Sequence, residues 1–219
     1  DQSGNSNNFT VGGGTLTKTE DCPSSVFATL NSLTGSSSSG MSNGNLKFEN
    51  STGDFDMRIS TLATTSGKYY FEAKIGATGT WQIGILDVEQ FQSGYYISGK
   101  SRGYIYRSTG EKVNNNSAVA NWGDTFTTGD IIGIALDLDN NKIYASKNGT
   151  FQASGDPTSG ATGTGAMYSV TDGYYYAFGI TANDSGTNPT CECNFGSPPF
   201  AISSGNTDGN GYGNFEYAV

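Results

Sequence analysis

Apolar residues occupy both faces of the segment 129–149, which reads GDIIGIALDLDNNKIYASKNG. On an extended chain two sets of side chains alternate there: Ile132, Ile134, Leu136 and Leu138 on one face, Ile131, Gly133 and Ala135 on the other. A strand that is apolar on both faces is typical of a central strand with a layer packed on each side. Short polar residues at 139–141, and Asn148-Gly149, favour tight turns. The segment therefore predicts a β-hairpin at the centre of an antiparallel sheet.

The same two-residue alternation recurs along the chain and predicts further strands. They fall at 26–30, 46–49, 57–61, 69–75, 81–85, 104–106, 174–180 and 191–195. No stretch sustains the 3.6-residue periodicity of an amphipathic helix, and the 32 Gly, with many Asn and Ser, indicate many turns. The pattern as a whole predicts an all-β protein.

Two positions within these strands carry sharper expectations. Glu72 lies on the polar face of the predicted strand 69–75, where we expect it to pair with a Lys or Arg on a neighbouring strand. Gly84 interrupts the apolar strand 81–85, which indicates that another part of the backbone passes close to it.

The charge balance excludes several classes of partner. The net charge is −9, and every Lys and Arg lies at or before Lys147. An anionic surface repels phosphate backbones and anionic lipid, so we expect neither nucleic-acid binding nor membrane insertion. No apolar run approaches the length of a membrane span, and no signal peptide opens the chain. The first residue, Asp1, suggests a processed or excised fragment, and Val219 does not look like a natural end.

Catalytic and metal-binding constellations are poorly represented. The chain has no His, which excludes Ser-His-Asp and Cys-His machinery and His-ligated metals. Asp137, Asp139 and Asn141 have the spacing that opens a calcium loop, but Lys142 replaces its glycine and Asn148 its final glutamate. We interpret them as turn residues. We therefore expect no catalytic residues, no metal site and no cofactor.

Three cysteines leave the redox state open. Cys191 and Cys193 are two residues apart, so on a strand they share a face and cannot easily bridge each other. Cys22 can pair with either of them if the N-terminal arm lies beside the last core strand. Three reduced, partly buried thiols are the alternative.

Five motifs, in family order, make this chain resemble the SPRY domain in the variant common in bacteriophage structural proteins. They are the central hairpin, GKYYFEAKI (67–75), WQIGI (81–85), Asn121-Trp122-Gly123 and NFGSPPF (194–200). The flanks SGNSNNFT, VFATLN (26–31), SNGNLKF (42–48) and GNGYGNFEYAV resemble the phage variant as well. The resemblance implies a bent antiparallel β-sandwich. Residues 1–66 would form an arm with edge strands packing on it, 67–200 the SPRY core, and 201–219 a C-terminal linker or arm.

The function that this resemblance implies is binding without catalysis. The chain would be a module of a phage virion protein, exposed on a tail fibre or capsid at the particle surface. Its partners would be a host-surface glycan or protein, or other virion subunits. A purely structural assembly or decoration module is one alternative. A glycan-degrading enzyme is another, although the chain lacks the strand with three alternating acids that related sandwich glycanases carry.

Four aromatic residues in or next to connecting loops are the candidate ligand-binding residues: Tyr95, Tyr96, Tyr106 and Trp122. Exposed aromatics beside Asn, Asp and Gln can stack on a ligand while the polar groups bond its rim. Core or edge packing is the alternative for Tyr106 and Trp122. Tyr95 and Tyr96 are adjacent on an extended segment, so they cannot both point inward. The family's use of loops at one end of the sandwich implicates parts of 87–102, 107–121 and 183–189.

Overall fold

Two antiparallel sheets pack face to face in this protein, as a computed structural model shows. The structure describes residues 26–35, 40–51, 54–77, 79–183 and 186–218. The strands in these ranges are β1 (Gly40–Ser42), β2 (Lys47–Glu49), β3 (Phe55–Thr64), β4 (Lys68–Ile75), β5 (Thr80–Asp87), β6 (Gly103–Arg107), β7 (Lys112–Asn114), β8 (Ser117–Val119), β9 (Ile131–Asp137), β10 (Lys142–Lys147), β11 (Thr150–Phe151), β12 (Tyr168–Ser169), β13 (Tyr176–Asn183) and β14 (Thr190–Asn194). The predicted all-β sandwich is confirmed.

The central hairpin lies in the first sheet, as predicted. That sheet has the order β1-β2-β14-β4-β9-β10-β11, and β12 also pairs with β10. Every residue of β9 is buried between its neighbours β4 and β10. Asn141 has a φ of 55° in the β9–β10 turn, and Asn148 and Gly149 have positive φ in the next turn. Asn and Gly adopt this left-handed conformation at least cost, which is why these residues end the strands.

The second sheet has the order β3-β13-β5-β6-β7-β8. Gly84 on β5 lies opposite Ile105 on β6, and a Cβ at Gly84 would overlap the carbonyl oxygen of Tyr104. The expected close approach of a second backbone segment is confirmed. The inner faces of the two sheets enclose the main core, in which Trp81, Phe71 and Ile134 are fully buried.

A second apolar cluster lies on the outer face of the second sheet. Its buried members, which we call the outer cluster, are Met57, Ile59, Leu86, Ile97, Ile105, Val113 and Ala177. All except Ile97 come from strands, whereas Ile97 belongs to the connection 88–102 between β5 and β6. Its N–H lies 3.3 Å from the Thr181 hydroxyl, and the next N–H, of Ser98, lies 3.1 Å from Oε1 of Gln82. These bonds to Thr181 on β13 and Gln82 on β5 fix the connection across the sheet.

The predicted strand at 26–30 is wrong. Only Leu30 forms a bridge, with Ser60 on β3. The Asn31 N–H still donates to the Ile59 carbonyl at 2.8 Å, but the Asn31 side chain then accepts from the Leu33 N–H at 2.9 Å. This local turn takes the chain away from β3, so the pairing ends after Leu30.

The expectation for Glu72 is also wrong. Its carboxylate is fully buried and meets no Lys or Arg in the described part of the chain. It accepts instead from the N–H groups of Tyr217 (2.8 Å) and Glu216 (3.0 Å), from Nδ2 of Asn194 (3.0 Å) and from the Tyr70 hydroxyl (3.3 Å). The physical reason is that residues 203–218, the C-terminal segment, fold back over the outer face of the first sheet.

Aromatic contacts hold the C-terminal segment in place. The rings of Phe215 and Tyr70 lie 5.3 Å apart, and a Cβ at Gly149 would lie 2.5 Å from the ring of Tyr217.

Within the same sheet Cys191 and Cys193 are buried free thiols, and burial raises the pKa of Cys191. Cys22 lies outside the described residues. Across the described ranges no helix is long and apolar enough to cross a membrane.

Candidate functional site

Tyr95 and Tyr96 lie together on the connection between β5 and β6, with ring centroids 6.4 Å apart. Tyr95 is 48% exposed, whereas Tyr96 is half-buried. The Lys100 ammonium lies 4.7 Å from the centroid of the Tyr95 ring, a cation–π distance, and donates to Oε1 of Gln92 at 2.7 Å. Tyr95 is thus held from one side and open to solvent on the other.

Tyr96 joins this connection to the end of the second sheet. Its ring lies 4.9 Å from that of Phe55, and a Cβ at Gly99 would lie 2.9 Å from its edge. Phe55 is the first residue of β3 and pairs with Asn183, the last residue of β13. Two of the predicted loops therefore meet at the same end of this sheet: 183–189 begins there, and 87–102 passes there with Tyr96.

The third predicted loop reaches the same place through the β7–β8 turn. Asn115 and Asn116 form this turn with φ of 49° and 59°. The N–H of Asn115 donates to the Lys100 carbonyl at 3.2 Å, and that of Asn116 to the Ser98 carbonyl at 2.8 Å. We call the resulting patch the Tyr95–Tyr96 surface; it comprises Phe55, Tyr95, Tyr96, Lys100, Asn115 and Asn116.

Tyr106 and Trp122 form a separate pair on the other side of the second sheet. Tyr106 is fully buried in the main core, and its hydroxyl donates to the Asp124 carbonyl. Its ring meets Trp122 edge-on at 5.5 Å and Phe126 at 5.1 Å. Burial raises the pKa of Tyr106. The structure places this tyrosine out of reach of solvent, so core packing accounts for it.

Trp122 is half-buried and contributes to a lysine site that sequence reasoning missed. The ammonium of Lys112 lies 5.7 Å from the Trp122 ring and 4.9 Å from the Tyr168 ring, and it donates to the Met167 carbonyl at 2.9 Å. Burial lowers the pKa of Lys112. Lys112 thus links the two sheets, because it lies on β7 of the second sheet and Tyr168 on β12 of the first.

Sequence reasoning also missed Phe55, Lys100 and the Asn115-Asn116 turn. The turn had a usable signal, because consecutive Asn residues between strand-like segments favour a two-residue hairpin. Phe55 had none, since its contact with Tyr96 joins parts of the chain that are distant in sequence. Lys100 is close to Tyr95 in sequence, but the connection has no regular periodicity from which their contact could be predicted.

The buried and half-buried acids of the described residues have structural partners. Asp87 pairs with Arg102 at 2.6 Å, and Asp137 with Lys68 at 3.2 Å. The exposed Asp139 also has a partner, since its Oδ1 accepts from the Gly67 N–H at 2.7 Å. Within these residues no group of three His, Cys, Asp or Glu side chains is positioned to hold a metal ion. What the Tyr95–Tyr96 surface offers is stacking, one cation and exposed amide side chains.

Comparison with known families assigns this architecture. The profile of the SPRY domain matches residues 68–191, more than half of the chain. The chain belongs to the SPRY family. SPRY domains generally serve as protein-interaction modules, which supports the expected binding role.

Relatives and solved structures agree with this assignment. The chain is 35% identical over 94 residues to a Ran-binding proteins 9/10 homolog of Drosophila melanogaster and 32% identical over 90 residues to the ATP-dependent RNA helicase DDX1 of Xenopus laevis. These matches cover 40% and 41% of the chain but only 10% and 12% of the relatives. The SPRY domain of human HERC1 superposes with a TM-score of 0.58 at 17% identity, covering 71% of this chain and 91% of that one. These are animal proteins and carry no information on the bacteriophage variant.

Proposed function

We propose that this SPRY chain is a non-catalytic binding module whose partner contacts the Tyr95–Tyr96 surface. The observation that carries the proposal is an exposed tyrosine on a connection anchored by a buried residue, Ile97, two positions further along. Tyrosine supplies a large amphipathic contact area and loses little conformational entropy on binding, which is why it is enriched at interfaces.

The geometry favours a protein partner. Aromatic residues with an adjacent cation and a polar rim are typical of protein-binding hot spots. Tyr95 provides the aromatic centre and Lys100 the cation. The exposed side chains of Asn115 and Asn116 provide donors and acceptors at the edge. A host-surface glycan remains the alternative ligand, because the same groups stack on sugar rings.

We further propose that the parent protein is part of a bacteriophage virion, with this module exposed on a tail fibre or capsid. The support is the resemblance of the flanking segments, SGNSNNFT before the core and GNGYGNFEYAV after it, to phage structural proteins. In that setting the partner is a host-surface protein or a neighbouring virion subunit. The net charge of −9 argues against nucleic acid and membrane insertion.

The absence of catalysis is part of the same proposal. Glu72, a fully buried carboxylate, has its acceptor positions filled by four donors, among them the backbone of Glu216 and Tyr217. Such an acid is occupied in holding structure rather than in transferring protons. Incubation with host polysaccharide followed by a reducing-end assay is expected to give no signal above the blank, and cleavage would reject the proposal.

Selection of short random displayed peptides on the wild-type chain tests the surface directly. We expect the selected peptides to lose at least about 30-fold in affinity for the double variant Tyr95→Ala/Tyr96→Ala, since truncating a hot-spot residue costs roughly 2 kcal/mol. Tyr175→Ala is the matched control, because Tyr175 is also a tyrosine and is 59% exposed. Equal affinity of the double variant and wild type, or failure to recover any binder, would reject this surface.

Two further assays address the partner and the setting. A glycan array probed with the wild type and the double variant reports on the alternative ligand; specific, tyrosine-dependent sugar binding would replace the protein partner. Antibodies raised against the chain are expected to label intact phage particles and to block their adsorption. Particles without label would reject the virion assignment while leaving the binding surface untouched.

A further inference from the structure

The second sheet ends in an exposed edge at β8. Among the described strands it pairs with β7 alone, and its three residues, Ser117, Ala118 and Val119, are all exposed. Such an edge presents backbone N–H and C=O groups to solvent and is a template for another strand.

The register identifies which groups point outward. The Arg107 N–H donates to the Glu111 carbonyl at 2.8 Å, so alternate pairs of the β6–β7 ladder, including Ile105 with Val113, exchange backbone hydrogen bonds. Val113 thus directs its backbone groups to β6, and its neighbours on β7 direct theirs to β8. Ala118 lies opposite Val113 in the β7–β8 register, so its N–H and C=O point away from β7.

No other described part of the chain covers these groups. Neither the N–H nor the carbonyl of Ala118 takes part in a backbone hydrogen bond outside the strands of the described residues. The opposite edge of the same sheet is different, because Asn31 and Thr29 bond to β3 there. No charged residue lies between Val113 and Gly123, so the edge lacks the charges that commonly protect edge strands from pairing.

We propose that β8 receives an extended segment of a partner polypeptide, which adds a strand to the second sheet. An extended polypeptide matches this edge because it supplies an acceptor and a donor at the spacing of Ala118. The side chain of Val119, 46% exposed, offers an apolar contact to the incoming strand. In an antiparallel pair a single residue of the incoming strand exchanges both bonds with Ala118, so the edge favours a peptide.

The inference rests on the proposed binding function and extends it. The β7–β8 turn is bonded to the connection that carries Tyr95, through Asn116 and Ser98 at 2.8 Å. The edge and the Tyr95–Tyr96 surface therefore meet at this turn. A single partner can place an extended segment on β8 and continue over the tyrosines.

The peptides selected on the wild-type chain serve as the probe. Ala118→Pro removes the outward backbone N–H and leaves the bonds of Ser117 and Val119 to β7 in place. Ala118→Ser is the control, because it keeps that backbone N–H and has a side chain of similar size. We expect the proline variant to bind at least about tenfold more weakly and the serine variant to stay within about threefold of wild type. Hydrogen exchange at the Ala118 amide should be fast in the free chain and slow in the complex. This exchange measurement stands even if the proline variant fails to fold.

The outcomes separate the two hypotheses. Wild-type affinity in Ala118→Pro, with unchanged Ala118 exchange on binding, overturns the edge inference alone, provided that Tyr95→Ala/Tyr96→Ala still loses binding. If Ala118→Pro loses peptide affinity and Tyr95→Ala/Tyr96→Ala does not, the result supports pairing at β8 and rejects the Tyr95–Tyr96 surface. A wild-type dimer in sedimentation that becomes monomeric in Ala118→Pro would show that a second copy occupies the edge, which overturns the proposal of a separate partner.

Discussion

Replacing Glu72 with Gln should detach the C-terminal segment from the first sheet. Oε1 of Glu72 accepts from the Tyr217 N–H and the Tyr70 hydroxyl, and Oε2 accepts from the Glu216 N–H and the Asn194 side chain. An amide has one acceptor oxygen and one donor nitrogen. Whichever oxygen is replaced, the new NH₂ group faces a backbone N–H of the segment, so a favourable contact becomes a donor–donor clash.

The magnitude follows from the four bonds. A hydrogen bond to a charged group contributes about 1.5–3 kcal/mol, and a buried donor left unsatisfied costs about 1–3 kcal/mol. Gln keeps two of the bonds in weaker, neutral form. In either orientation one backbone N–H loses its acceptor, whereas the Tyr70 hydroxyl can rotate and accept from an NH₂ group placed at Oε1. The lower desolvation cost of a neutral side chain offsets part of this loss. We expect a net destabilisation of about 2–4 kcal/mol, a large part of the stability of an ordinary domain.

Urea unfolding and hydrogen exchange together test this expectation. Exchange at the Glu216 and Tyr217 amides should accelerate strongly in Glu72→Gln, and the free energy of unfolding should fall by up to the stated amount. If the segment detaches locally, exchange will change more than global stability. Glu89→Gln removes a carboxylate that is 72% exposed and should change neither quantity. Wild-type exchange at both amides would refute the role assigned to Glu72.

Two further predictions concern the sheets and the hairpin. Gly84→Ala should destabilise the fold by at least about 2 kcal/mol in thermal or urea unfolding, because its Cβ would overlap the Tyr104 carbonyl; wild-type stability would contradict the close approach. Desolvation alone would raise the pKa of Asp137, but hydrogen bonds from Asn140 and the Lys68 ammonium outweigh it, so the pKa lies below its ordinary value of 3.8. The ionised carboxylate thus stabilises the fold at neutral pH, and this contribution disappears as the pH falls from about 3.8 through the folded-state pKa. The difference in free energy of unfolding between wild type and Asp137→Asn should therefore narrow in acid. A difference that stays constant would contradict a pKa of Asp137 lowered by folding.

The architecture was predictable because its signals are local. The two-faced apolar pattern of β9 requires cover on both sides, and Asn141 marks the turn that leads into β10. Gly84 was informative for the same reason, since a missing side chain within an apolar strand has few explanations. Each of these inferences uses residues close together in the sequence.

The candidate site was less predictable, because its contacts join distant parts of the chain. Phe55 on β3 packs against Tyr96 on the connection between β5 and β6, and no local pattern pairs them. The same holds outside the site for the Glu72 carboxylate and the N–H of Glu216, which are 144 residues apart in sequence. Tyr106 alternates with Ile105 on β6, which indicates a strand but not which of its faces is exposed to solvent. Both faces of β6 are buried, one in the main core and the other in the outer cluster, so alternation could not separate a binding tyrosine from a core tyrosine.

The outer cluster explains how a long polar connection can present a binding residue in a defined position. Ile97 lies over two glycines on the strands that flank β5: a Cβ at Gly179 on β13 would lie 2.7 Å from its Cδ1, and a Cβ at Gly103 on β6 would overlap its carbonyl oxygen. Both strands thus leave room for this one residue, and the backbone bonds at Ile97 and Ser98 fix its orientation. Tyr95 precedes this anchor by two residues and therefore has little freedom to lose when a partner binds. Because the entropy cost of ordering a loop opposes affinity, the proposed binding role of Tyr95 predicts that the Ile97 anchor strengthens binding without contacting the partner.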